Sequence, residues 1–446
     1  MKWDSRWTWG TALVGMVMVA TAFGPPGCGG SGGARSADDD DDGGGAPGGM
    51  GGRGGSDGEP FSVADAPFVS EAEVTRLVQT LAADAFDGRD EGTPGSTAAR
   101  QYIIEEMQRC GIQPAVAGGY EQPITTGDGV NVVGVVPGTD PTLSGRHVLV
   151  SAHYDHLGHC GGAICNGADD NASGVAIMLS VGCAVAARPS PKTVVFASWD
   201  AEEPPTFLTD AMGSEFYAAQ PVFPLDEMDV AIVLDLVGSD LWPGFTDHFY
   251  LGAELSPEVA AALDATVVPD GLEVQRFGLH MVEEQPIGFQ PWSDYNGFRN
   301  RQRPVLFASN GQNQRYHTPS DELATLNLPK MALEAAYLAG VVRTLAGSPI
   351  TPNFVAEGSD SPRDVAANRR VLSAALAAGG LADALGLGPA ARDALAGDLA
   401  ATEAAGARLA SGKSLTASDV AALRSGAQRI MCLAGSTYDE NICSAF

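Results

Sequence analysis

Apolar positions along the chain repeat with two periods, and the period switches from segment to segment. Glu71–Ala85 and Ser96–Cys110 carry apolar residues at helical spacing. Val130–Val136, His147–Ala152, Thr193–Trp199, Val230–Leu234 and Pro304–Ser309 are short apolar runs that read as buried strands. Ser173–Ala187, Glu258–Thr266 and Lys330–Ala346 return to helical spacing. Strands alternating with helices predict an α/β three-layer sandwich around a mostly parallel central sheet. Thr351–Pro362 is a Pro/Gly/Ser-containing linker. Beyond it the chain is Ala-rich. Val365, Leu372 and Leu376 fall on one face, and Gly379–Gly380 and Gly386–Pro389 punctuate the pattern. An all-helical C-terminal extension is expected, read as a structural cap on the main domain.

The N-terminus follows neither period. Lys2 and Arg6 precede Thr11–Phe23, an uncharged and mostly apolar run. That run is shorter than the ~20 residues a bilayer crossing needs, so a signal peptide is expected over residues 1–27. The segment "GPPGC" ends at Cys28 and resembles a bacterial lipoprotein processing site, although Pro25 stands where an aliphatic residue is usual. The expectation is an exported protein, either tethered to a membrane through lipidated Cys28 or simply secreted. Residues 28–60 are dominated by Gly, Ser and Asp, including Asp38–Asp42, and lack the apolar content to order themselves. They read as a flexible linker. Residues 61–348 then form the catalytic domain, and 349–446 the helical extension.

Composition narrows the function. The chain has 446 residues, 44% of them hydrophobic, enough for a large core. Its 26 basic and 55 acidic residues give a formal charge of −29. Nucleic-acid binding needs basic surface, so that class is excluded. Seven cysteines occur. Without Cys28 six remain, an even number that suits an oxidising compartment. Cys160 with Cys165 and Cys432 with Cys443 are locally plausible pairs. Cys110 and Cys183 sit in helical patterns and read as buried thiols.

The chemistry gathers where strands end. "VLVSAHYDHLG" closes a dry strand with His153 and Asp155. "NGADDNASG" places Asp169 and Asp170 just before an apolar helix. Glu202 and Glu203 follow "VVFASWDA", Asp235 ends "AIVLD", and Tyr316 and His317 follow "PVLFASN" on a loop. Ligand sites of open α/β sheets lie at the carboxyl ends of strands. A charge ending an apolar strand is costly unless something compensates it. Two histidines and several carboxylates form a nitrogen and oxygen donor set, which suits zinc better than calcium or magnesium.

The order His-x-Asp, Asp-Asp-Asn-x-Ser-Gly, Glu-Glu, Asp, Tyr-His-Thr resembles the secreted di-zinc aminopeptidases of the bacterial leucyl type. "DGRDEGTPGSTAARQYI" and "SDYNGF" resemble further segments of that family, and the likeness spans roughly Ala72 to Gly347. The resemblance implies two zinc ions. His153 and Asp235 would bind one, Glu203 and His317 the other, and Asp170 would bridge them. Asp155 would hydrogen-bond the liganding histidine. Glu202 would be the general base, and Tyr316 would steady the developing oxyanion. The family also implies a cis peptide bond between Asp170 and Asn171. His156 and His159 match no ligand and read as loop residues, and His147, His248 and His280 have no assigned chemistry. The implied activity is hydrolysis of N-terminal residues from peptides, with protein or peptide N-termini as substrates.

One departure stands out. "EEPPTFLTDAMGSEF" inserts Pro204–Met212 before Gly213, where typical members move directly into a helix. Glutaminyl cyclases, of the same superfamily, also carry an insertion there. The alternatives are therefore a cyclase-like aminoacyl transferase and a non-catalytic, metal-stabilised binding protein. The insertion reads as a lid or rim.

Overall fold

The structure, a computed structural model, describes residues 67–285, 288–435 and 443. The signal peptide at 1–27, Cys28 with its linker to residue 60, and the start of the catalytic domain lie outside the described residues.

The sheet is built from β1 (Val130–Val136), β2 (His147–His153), β3 (Thr193–Trp199), β4 (Met228–Leu234), β5 (Asp247–Leu251), β6 (Glu273–Phe277) and β7 (Val305–Ser309). Their spatial order is β1-β3-β2-β4-β7-β5-β6. β3, β2, β4 and β7 are mutually parallel neighbours, whereas β1 and β5 run antiparallel to β3 and β7. The sheet is thus mostly parallel, as the alternating pattern predicts.

Side chains alternate across it with the period of two that a strand imposes. Val148, Val150, Val194, Phe196, Val230 and Ile232 enter one apolar layer. Leu149, Val195, Ala197, Trp199, Ala231 and Val233 enter the other. Because both faces are covered, the strands read as unbroken apolar runs rather than alternating ones. Each Val, Leu, Ile or Phe side chain among them, fully buried, contributes about 1.5–3 kcal/mol.

Helices α1 (Glu71–Leu81), α2 (Pro94–Cys110) and α3 (Gly174–Ala187) cover the first face. α4 (Gly213–Ala219) lies on the opposite face, and α5 (Pro257–Ala265) and α6 (Leu328–Gly347) join the first. Helix signals match local chemistry: Thr93 accepts the Ser96 N–H at 3.2 Å, and Gly111 closes α2 in the left-handed region. The stretch Ala168–Ala187 has a hydropathy of 1.4, enough for a membrane span, but 89% of it is buried in the fold. It is a core helix.

β5 and β6 are absent from the sequence reading. Their sequences, DHFYL and EVQRF, mix charge with apolar residues and give no apolar run. Cys110 and Cys183 are a second correction. They are not separate thiols but a disulfide joining the end of α2 to α3. Cys160–Cys165 and Cys432–Cys443 pair as their spacing suggests.

The extension is helical as expected: α7 (Ser361–Leu376), α8 (Pro389–Ala410) and α9 (Ala417–Ala434), with a short turn of helix at Leu381–Ala384. It is fastened to the sheet rather than loosely attached. Arg370 of α7 forms a two-pronged ion pair with buried Asp247 of β5, at 2.8 and 2.9 Å. Trp242 and Phe245, stacked at 4.2 Å on the loop after β4, pack with Leu372, Leu395, Ile430 and Ala434 of the three helices.

His147 gives the fold a pH dependence. It opens β2, is 2% exposed, and rests against Phe223. Burial, aided by neighbouring Arg146, pushes its imidazole from the ordinary 6.5 down to about 4. The unfolded chain therefore binds the proton more readily. The contribution is complete above about pH 6.5 and is lost as pH falls towards 4; it amounts to roughly 3 kcal/mol. Urea midpoints measured between pH 7.5 and 4.5 should fall more steeply for the wild type than for His147→Gln. Equal slopes would rule out His147 as a source.

Candidate metal centre

Four parallel neighbours, β3, β2, β4 and β7, end on the same edge of the sheet. That edge collects every site residue named from the sequence. β2 ends in His153, and Asp155 follows. Glu202 and Glu203 lie just beyond β3, and Asp235 follows β4. The loop after β7 carries Tyr316 and His317. Asp170 enters from the turn that starts α3, and the peptide bond from Asp170 to Asn171 is cis.

The backbone departs from ordinary conformations at three of these ends. Ala201, Leu236 and His317 have φ of +62°, +54° and +57°. Such left-handed residues cost of order 1–3 kcal/mol each and persist where surrounding structure holds them. All three are next to, or are, candidate site residues.

Two clusters share one carboxylate. His153 Nε2 lies 3.4 Å from Asp170 Oδ1 and 3.5 Å from Asp235 Oδ1. His317 Nε2 lies 3.2 Å from Asp170 Oδ2 and 3.0 Å from Glu203 Oε2. The two oxygens of Asp170 therefore face different histidines. Glu202 stands beside the first cluster, its Oε2 3.8 Å from His153 Nε2. Asp155 faces two groups: its Oδ1 is 3.6 Å from His153 Nδ1, and its Oδ2 accepts the Glu203 N–H at 3.0 Å. Tyr316 stacks on His317 with ring centroids 3.8 Å apart.

Burial works against every charge here. It would raise Glu203, but His317 and His156 outweigh it and bring the carboxyl to about 2. It would lower His317, but Glu203 and Asp170 lift the imidazole to about 10. For Glu202 burial dominates, and Asp294 and Asp235 push the carboxyl further up against the opposing pull of His153.

The donor atoms fit zinc. Ligands placed tetrahedrally about 2.0–2.1 Å from the ion are separated by roughly 3.3 Å, and the four inter-ligand distances above bracket that value. His153 Nε2, Asp170 Oδ2, Asp235 Oδ1 and His317 Nε2 are buried and have no hydrogen-bond partner among the described residues. Unsatisfied buried polar atoms are rare without a reason, and a shared cation set satisfies all four.

Several neighbours escaped the sequence reading. His156, read as a loop residue, is fully buried, and its Nδ1 lies 2.7 Å from Glu203 Oε1. Asp321 accepts the backbone N–H groups of Asp169 and Asp170 at 2.9 and 3.0 Å. Arg89 is 1% exposed and donates to the carbonyls of Leu81, Tyr154, Asn166 and Gly167, behind the turn that presents Asp170. Asp294 is fully buried and raised to about 7, chiefly by burial. Their signals in the sequence are single polar residues without spacing. The Pro204–Met212 insertion forms a chain of turns at the surface, held to the 126–127 loop by Thr126 Oγ1 donating to Asp210 O at 2.6 Å.

An open α/β sheet with two histidine–carboxylate clusters sharing one aspartate has the layout of a metal-dependent hydrolase. Residues 131–342 match the family model described as Peptidase family M28. "Uncharacterized protein YfbL" of Escherichia coli (strain K12) is 28% identical over 288 residues, 60% of this chain and 84% of the relative. The aminopeptidase from Aneurinibacillus sp. strain AM-1 shares the fold at a TM-score of 0.50 and 14% identity, over 66% of this chain and 98% of that one. A glutaminyl cyclase from Tannerella forsythia superposes at 0.47 with 19% identity, over 62% and 98%. A likeness that remote carries no argument about activity.

Proposed function

We propose that the protein is an exported zinc aminopeptidase that removes N-terminal residues from peptides. The observation that carries this reading is the shared carboxylate: both oxygens of Asp170 are committed, each to a different histidine. His153, Asp170 and Asp235 would hold one zinc ion, and Asp170, Glu203 and His317 a second. Two divalent ions against these three carboxylate ligands would leave the ligand set net positive, which would lower the pKa of water held there and polarise a bound carbonyl.

The chain's own groups do the rest. Glu202 is buried and close enough to His153 and Asp235 to share their cluster, and in this reading its Oε2, 3.8 Å from His153 Nε2, would take a proton from water and return it to the departing amine rather than bind the metal. Tyr316, stacked on His317, would donate from its hydroxyl to the carbonyl oxygen as charge develops there. A free α-amino group would rest against the metal and the buried acids that are not counted as ligands, Asp155, Glu202 and Asp294, which favours cleavage at the N-terminal end. Export is supported by the charged start and short apolar run of residues 1–27.

The test is metal analysis of purified protein together with assays on free, N-acetylated and N-terminal glutaminyl peptides. Two zinc ions per chain and release of N-terminal residues from free peptides only are expected. Chelation should abolish the activity and zinc should restore it. Cyclisation of glutaminyl peptides without hydrolysis would replace this reading with the cyclase one.

A further inference from the structure

The M28 match ends at residue 342, before α7 begins. The helical extension lies outside the matched span, yet it touches the loop that carries Tyr316 and His317. Gln314, three residues before His317, donates its side-chain Nε2 to the carbonyls of Leu433, Ala434 and Gly435, at 3.0, 3.2 and 3.3 Å. These carbonyls belong to the end of α9, where a helix has acceptors with no intrahelical donor.

The adjacent residue holds the loop from the other side. Asn313 is buried and donates to Asp169 Oδ2 at 3.0 Å, next to the candidate bridging Asp170. Its Oδ1 accepts the Arg315 N–H at 2.9 Å, and its carbonyl accepts the Tyr316 N–H at 3.2 Å. Consecutive side chains thus fasten one loop to the catalytic core and to α9. The start of the loop has little room to shift: a Cβ on Gly311 would lie 3.1 Å from Leu241 Cδ1. Leu241 in turn packs against the cluster that Trp242 and Phe245 build with α7, α8 and α9. His317 needs such restraint, because its φ of +57° is one that side chains rarely adopt.

We infer that Gln314 is a positioning residue through which the C-terminal helical extension holds His317 in place for the second metal position. The inference rests on the two-metal reading of the site. The extension is then a working part of the centre and not only a cap. Its influence falls on one cluster: His317 depends on it, whereas His153, Glu203 and Asp235 sit at or just past the ends of β2, β3 and β4.

Three variants of the full chain test this. Gln314→Glu keeps the shape but presents oxygens to carbonyls, so donation is lost. Gln314→Ala removes the group. Gln314→Arg keeps a donor. Zinc competition titration should show the weaker-bound ion loosened roughly threefold to tenfold in Gln314→Glu and Gln314→Ala. The tighter ion should be unchanged, and Gln314→Arg should be restored towards wild type. Hydrogen exchange over residues 311–320 should rise in the two defective variants, with no change in α1–α3. Equal loosening of both ions would make the role merely structural and overturn the inference, as would wild-type affinity at both positions in Gln314→Glu. Selective loss of one ion in a protein whose wild type hydrolyses no peptide would sink the aminopeptidase reading and still support this one.

Discussion

Glu202→Gln should reduce turnover by about 10²–10⁴-fold while leaving both zinc ions and the fold in place. The magnitude is that of a lost general acid–base. The reasoning is positional. Glu202 and Glu203 are adjacent in sequence, but the carboxylate of Glu203 lies against both His156 and His317, while Glu202 is 3.8 Å from His153 and nearer no other cluster histidine among the described contacts. The amide cannot accept a proton but fills the same volume, so stability should be preserved. The loss should appear in kcat more than in KM, because proton transfer belongs to the transition state. Glu203→Gln should behave differently, losing activity through loss of a metal ion. Metal stoichiometry and single-turnover rates for both variants at saturating zinc separate the two. If Glu202→Gln loses a zinc ion and Glu203→Gln keeps two, the roles are reversed.

Asp170→Asn has a wider effect. An amide presents one oxygen where the carboxylate presents two, so one cluster loses a ligand and both lose its charge. Zinc affinity should fall by more than about 100-fold at both positions, beyond the 10–100-fold typical of losing a group that only orients a ligand. Asp235→Asn, whose carboxylate faces His153 and not His317, should weaken one position. Added zinc stabilises the fold by RT ln(1 + [Zn]/Kd) and so raises the melting temperature; that rise should vanish in Asp170→Asn and persist in part in Asp235→Asn. Matching behaviour of the two variants would remove the bridging role.

The parts of the molecule legible in the sequence share a physical cause. β1 and β3 are bounded as their apolar runs are, because strands covered on both faces exclude charged side chains until they leave the layer. The same rule exposes the candidate site. His153 and Asp235 draw attention because each ends a dry run, and Glu202 and Glu203 lie just past another. Functions that depend on distant partners leave no such trace. His156 resembles any loop histidine until β3 brings Glu203 to it. Asp321 looks like an exposed turn acid, yet it binds backbone N–H groups about 150 residues away. Cys110 and Cys183 fit helical patterns, and nothing in those patterns says that α2 and α3 lie side by side. β5 and β6 lie towards one end of the sheet, where the apolar signal weakens.

The order of the strands has a consequence for how the molecule comes into being. A ribosome delivers His153 early and His317 late, with Asp170, Glu203 and Asp235 between them. β7 enters the sheet beside β4, so a nascent chain lacking it has neither the loop nor its histidine in place. Contacts this distant in sequence form late. A partly synthesised or partly folded chain would hold at most an incomplete centre.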